Sequence, residues 1–71
     1  MINVTAVSKK IGENIRQIRE KKNITQENLA LEAGLNRAYI GYIERGERNP
    51  STETMVKIAQ ALKISPKDLL D

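Results

Sequence analysis

Side chains suited to contacting a ligand are concentrated in one part of the chain, residues 36–49. The two aromatic residues of the sequence, Tyr39 and Tyr42, both lie there with three arginines, and the chain has no Phe and no Trp. Arginine and tyrosine carry hydrogen-bond donors on large flat groups, and both are enriched at the energetically dominant positions of binding surfaces. The segment therefore has the chemistry of a binding site, with a polyanion or another protein as its partner.

The composition argues against catalysis. The chain contains no Cys and no His, which excludes thiol nucleophiles, imidazole bases and Ser-His-Asp triads. The same absence excludes disulfides and argues against a zinc site, so we expect no metal and no cofactor. The nine acidic residues stand among twelve basic ones and are expected on solvated helix surfaces. We therefore expect a binding protein and not an enzyme.

The length of 71 residues allows one small domain, residues 1–71. A domain of this size buries only roughly 60% of the surface that its unfolded chain exposes, so association with a second copy would add stability. A monomer held by well-packed helices is the alternative. The net charge of +3 is compatible with a polyanionic partner. No apolar run is long enough for a membrane span or typical of a signal peptide, which favours a cytoplasmic protein without membrane contact.

Apolar residues at helical spacing, separated by capping residues, predict an all-α fold, a compact bundle of five helices. Residues 1–6 are expected to form a loose N-terminal arm. The second predicted helix ends at Gly34, which suits a left-handed C-cap, and the third predicted helix stops at Gly46. The predicted N-caps, in chain order, are Ser8, Thr25, Asn36, Ser51 and Ser65.

The second and third predicted helices are joined by a short turn at Gly34, which favours a helix-turn-helix over an ordinary pair of bundle helices. Ala30 is small enough for their closest approach, and Gly34 supplies the positive φ of the turn. The residues expected to pack the two helices together are Leu29, Ala33, Leu35, Ile40 and Ile43. Those expected to face outward are Asn36, Arg37, Ala38, Gly41 and Tyr42, with Tyr39 at the edge.

Gly41 is an unusual residue for the middle of a helix, where glycine is about 1 kcal/mol less favourable than alanine. Its missing side chain is understandable if a partner must approach the helix closely at this point. The alternative interpretation is a tolerated imperfection. The sequence leaves both interpretations open.

Residues 8–70 resemble the Cro/repressor-like, or lambda-repressor-like, helix-turn-helix family of the xenobiotic-response-element type. Within that family the segment NRAYIGYIERGERNPS looks most like the controller proteins of restriction–modification systems. The resemblance implies a transcriptional regulator that binds a near-palindromic operator in double-stranded DNA as a homodimer. RNA polymerase is a further expected partner, through Glu27. The alternatives are an antitoxin, a phage-type repressor, or a helical module that uses the same face to bind a protein.

The resemblance also implies roles for individual residues. Arg19 and Glu44 would form a structural pair that holds the third helix to the first, and Arg45 is expected at the solvated surface. Base reading is implied for Arg37, Ala38, Tyr42 and Arg48. Contacts to the DNA backbone are implied for Gln26, Asn36, Tyr39 and Asn49. A dimer interface is implied for Ile64, Leu69 and Leu70, with closure of the intramolecular core as the alternative.

Overall fold

Four α-helices and a terminal 3-10 turn make up residues 4–71, the part of the chain that the computed structural model describes. They are α1 (Val4–Lys21), α2 (Gln26–Ala33), α3 (Arg37–Glu44), α4 (Thr52–Leu62) and the terminal turn (Pro66–Leu69). No strand occurs within these residues. The prediction of an all-α helix-turn-helix fold is confirmed, but the predicted fifth helix is wrong. Backbone N–H groups in this last segment bond three residues back, as Asp68 does to Ser65, so it forms only one tight turn.

The first helix begins earlier than predicted. It already includes Val4, so the expected loose arm is wrong for residues 4–6, while residues 1–3 lie outside the described part of the chain. Ser8 is buried within α1 and is therefore not an N-cap. No Gly or Pro stands between Val4 and Gly12, so the backbone can be helical from Val4 onward.

The other helix ends follow the capping pattern of the sequence. The side-chain oxygen of Thr25 accepts a hydrogen bond from the Asn28 N–H at the start of α2. Gly34 ends this helix in the left-handed conformation, with φ of 69°. Asn36 caps α3 in the same way as Thr25 caps α2, and Ser51 caps α4. These caps determine where α2 stops and α3 starts, and hence the angle of the helix-turn-helix.

The core is aliphatic and is shared by all the helices. α3 packs against both α1 and α2, while α4 packs against α2 and the terminal turn. The largest fully buried side chains are Ile15, Leu29, Ile40, Ile43, Ile58, Leu62 and Leu69. Among residues 4–71 no helical segment combines the length and the continuous apolar character that a bilayer crossing requires.

Gly12 is the point where α1 comes closest to α3. A methyl group on Gly12 would collide with the backbone carbonyl oxygens of Ile43 and Glu44. Gly46, just after α3, has φ of 76° and lies directly against the backbone of Lys9. The two glycines therefore allow α1 to lie flat along the C-terminal half of α3.

Candidate nucleic-acid interface

The outer face of α3 carries the polar and aromatic side chains of residues 36–49. Arg37 and Ala38 are exposed in its first turn, and Tyr42 is 41% exposed one turn later. Tyr39 is half-buried and packs against the edge of the core. Because residues four apart share one helix face, Ala38 and Tyr42 lie side by side on the surface. This face is available to a partner along the whole length of α3.

Gly41 does not face outward as expected, because it is buried beneath a neighbouring side chain. Arg45, one turn later, folds back over it, and a methyl group on Gly41 would lie 3.1 Å from the Nη1 atom of Arg45. Helical side chains lean toward the N-terminus of their helix, which brings residue 45 over residue 41. In the free protein the space left by this glycine is therefore occupied by a guanidinium group.

Two arginines stack on the exposed tyrosine of α3. The guanidinium carbon of Arg45 lies 5.1 Å from the centre of the Tyr42 ring, and that of Arg48 lies 5.6 Å from it. Both distances fall within the range of a cation–π contact. Arg45 also donates from Nε to the two carboxylate oxygens of Glu47, at 3.2 and 3.0 Å. This hydrogen bond raises the pKa of Arg45.

A buried ion pair connects α3 to α1. Arg19 donates from Nε and Nη2 to the carboxylate of Glu44, at 2.7 and 3.0 Å. The Nη1 atom of Arg19 donates to the carbonyl oxygen of Ile24, at 2.8 Å. The bond to Glu44 raises the pKa of Arg19. With both partners nearly inaccessible to solvent, this pair holds the end of α3 in place and belongs to the scaffold.

Gln26, the first residue of α2, takes part in the same network. Its Nε2 atom donates to Glu44 at 3.0 Å, which uses one of its two N–H groups. The second N–H donates to no acceptor within the described residues. Asn36 is arranged in a similar way, because its Oδ1 atom accepts from the Ala38 N–H at 2.7 Å and its amide nitrogen points to no acceptor within the described chain. Both side chains are thus oriented by the fold before any partner binds.

The apolar residues near the C-terminus separate into two groups. Leu69 has no exposed surface and belongs to the core of the single chain, so its predicted place in a dimer interface is wrong. Its carbonyl oxygen accepts from the Asn14 side chain at 2.9 Å, which fixes the terminal turn to α1. Leu70 is 56% exposed, and Ile64 is half-buried at the edge of the core. Only these two retain surface that a second chain can cover.

The remaining site residues are all at the surface. Arg48 and Asn49 are exposed in the loop that follows α3, and Arg48 lies over the Tyr42 ring. Glu27 is exposed in the first turn of α2. The sequence predicts only a solvated position for Arg45. Its spacing of four residues from Gly41 is the signal that indicates its place over that glycine. Arg37 is likewise exposed, at the start of α3.

Comparison with known proteins gives the family of this fold. Residues 15–69 match the model of a helix-turn-helix family, HTH_3. The chain is 54% identical over 61 residues to control protein C.BamHI of Bacillus amyloliquefaciens, covering 84% of this chain and 75% of that protein. It is 45% identical over 60 residues to control protein C.SmaI of Serratia marcescens, covering 84% and 71% of the two chains.

The fold also matches a crystal structure of a protein of this kind. The restriction–modification controller protein C.AhdI from Aeromonas hydrophila superposes with a TM-score of 0.88 at 44% identity, covering 90% of this chain and 97% of that one. The resemblance to controller proteins that the sequence indicated is thereby confirmed. The capped α2–turn–α3 unit, its aliphatic core and these matches lead to one assignment: the chain belongs to the helix-turn-helix family HTH_3.

Proposed function

We propose that this protein is a sequence-specific, DNA-binding transcriptional regulator, the controller of a restriction–modification system. The main support is the outer face of α3, which exposes Arg37, Ala38 and Tyr42 on a helix held rigidly by caps and a buried ion pair. A helix of this kind fits the major groove, where its N-terminal residues reach the base edges. The names of the relatives agree with this role.

The proposed reading of bases relies mainly on Arg37. Its exposed guanidinium, at the first position of α3, can bond O6 and N7 of one guanine. Ala38 is small and exposed, and can lie against a thymine methyl group. Tyr42 and Arg48 stand further along the same surface and contact bases beyond this first position.

Contacts to the sugar–phosphate backbone would position the helix. Gln26 and Asn36 each keep an N–H group for a phosphate, and each lies at a helix N-terminus, where free backbone N–H groups favour an anion. Tyr39 at the edge of α3 and Asn49 after it contribute a hydroxyl group and an amide group. Such contacts fix the register of the protein on the duplex without selecting a sequence.

We further propose that the regulator binds as a homodimer through the end of the chain that carries Leu70. This side chain is 56% exposed beside the half-buried Ile64, and a two-fold contact between copies would cover both. Such a dimer would present two α3 helices to a near-palindromic operator. Glu27, exposed in the first turn of α2, is the proposed contact for RNA polymerase.

Selection of bound sequences from a random duplex pool tests this function. A two-fold-related motif should be enriched, and binding to it should weaken steeply as salt rises, because each neutralised phosphate releases counterions. Sedimentation of the complex gives the number of chains bound. If no motif is enriched even at low salt, the specific DNA-binding function is wrong and the α3 face is more suited to a protein partner.

Replacing Arg37 with alanine should relax the choice of one base pair. Loss of a bidentate guanine contact is expected to weaken binding to the selected site by about 1–3 kcal/mol, with little change on random duplex. Fluorescence anisotropy with both duplexes measures the two losses. Lys57→Ala is the control, because it removes the same charge from an exposed position on α4. Equal losses of binding free energy on the two duplexes would mean that Arg37 does not read a base.

A further inference from the structure

We propose that Arg45 makes an additional contact to a DNA phosphate and that Gly41, Tyr42 and Glu47 hold its guanidinium in position for it. The inference rests on the proposed function of DNA binding and assigns a role to a side chain that the sequence placed at the solvated surface. Three neighbours of the guanidinium in the free protein carry it. They involve the helix surface under the guanidinium, the ring beside it and the carboxylate at one of its edges.

The guanidinium of Arg45 packs against Gly41, which has no side chain to keep it away from the helix. Arg37, Gly41 and Arg45 follow one another at intervals of four residues, so they share one side of α3, where Arg45 covers Gly41. The Nη1 atom of Arg45 lies only 3.1 Å from where a Gly41 methyl group would be. A methyl group at position 41 would therefore force the guanidinium to shift by a few tenths of an ångström.

The guanidinium is also fixed from the side. It lies over the Tyr42 ring at 5.1 Å, and its Nε–H is shared between the two carboxylate oxygens of Glu47. The side chain of Arg45 is nevertheless 56% exposed. Its terminal nitrogens, Nη1 and Nη2, donate to no acceptor in the described part of the chain. The guanidinium is therefore held through Nε, while the edge formed by Nη1 and Nη2 is free to donate to a ligand.

An open, charged guanidinium edge suits a phosphate group, which accepts two parallel hydrogen bonds. The position of Arg45 also favours phosphate over a base. A recognition helix reads bases mainly with its N-terminal residues, whereas Arg45 lies just beyond the last residue of α3. Ordering the side chain beforehand lowers the entropy lost when DNA binds.

Replacing Arg45 with alanine tests the contact. Affinity should fall about tenfold for each bound chain on the selected site, and by a similar factor on random duplex, as expected for one charged hydrogen-bonded contact per chain. The plot of log affinity against log salt should lose about 0.9 of its slope per bound chain. Lys57→Ala, with the same change of net charge, should alter both quantities much less, and thermal unfolding should show that both variants remain folded.

A double-mutant cycle tests whether Gly41 affects DNA binding by positioning the Arg45 guanidinium. Gly41→Ala should weaken DNA binding when Arg45 is present and have little further effect when residue 45 is alanine. Equal weakening in both backgrounds would mean that the methyl group contacts the DNA directly. The proposal that Gly41 positions Arg45 would then be wrong. Unchanged affinity and salt slope in Arg45→Ala would overturn the phosphate contact, and so would a loss confined to the selected site. Failure of the unmodified protein to bind any duplex would instead overturn the proposed function.

Discussion

Replacing Glu44 with alanine is expected to lower the free energy of unfolding by about 3–5 kcal/mol, because the partner charge would remain buried without compensation. The side chains of Arg19 and Glu44 are only 11% and 3% exposed, and two hydrogen bonds join them. The carboxylate also accepts from Gln26, so three donors lose their acceptor together. Urea denaturation followed by circular dichroism measures the loss, which is a large part of the 5–15 kcal/mol typical of a small domain.

Glu53→Ala is the matched control for this substitution. Glu53 also pairs with a cation, Lys57, but at 3.6 Å and with both side chains well exposed. Exposed pairs of this kind contribute at most about 1 kcal/mol. Similar losses in the two variants would contradict the structural role of the buried pair, because exposure would then make no difference.

Replacing Gly12 with alanine is expected to destabilise the protein by about 3 kcal/mol or more, the upper end of what overpacking a core produces. Helix propensity alone predicts the opposite, a gain of about 1 kcal/mol. The new methyl group, however, would collide with two carbonyl oxygens of α3, those of Ile43 and Glu44. Backbone atoms cannot turn aside as a side chain can, so α1 would have to move away from α3. The midpoint of urea denaturation reports the change.

Gly41→Ala provides the comparison for Gly12→Ala, since both place alanine inside a helix. At Gly41 the methyl group meets only the tip of the flexible Arg45 side chain, so the propensity gain of up to about 1 kcal/mol should persist. We therefore expect changes of opposite sign in the two variants. A gain in both would show that α1 and α3 can separate at little cost, and the close approach at Gly12 would then not matter for stability.

The features that could be predicted from the sequence are those determined by local chemistry. Thr25 and Asn36 each precede a helix and accept a hydrogen bond from its first turn. The starts of the two helices and the turn between them can therefore be predicted from residues that are close together in the sequence. The outward position of Arg37 follows from the apolar spacing around it. Such inferences need only the periodicity of one helix.

The features that were missed depend on contacts between distant parts of the chain. Nothing near Gly12 in the sequence indicates that α3 passes over it, because the colliding atoms belong to residues 43 and 44. Leu69 and Leu70 are adjacent and chemically alike, yet one closes the core and the other is exposed. Which of the two points inward is decided by how the terminal turn docks on α1, through the bond from Asn14.

The aliphatic core has a practical consequence for spectroscopy. Because the protein has no Trp and no Phe, all of its ultraviolet fluorescence comes from Tyr39 and Tyr42, at the edge and on the outer face of α3. The emission therefore reports the environment of the proposed recognition surface and is insensitive to packing deeper inside. A titration with DNA can follow this intrinsic signal without any attached dye, and Tyr42→Phe assigns the contribution of each ring.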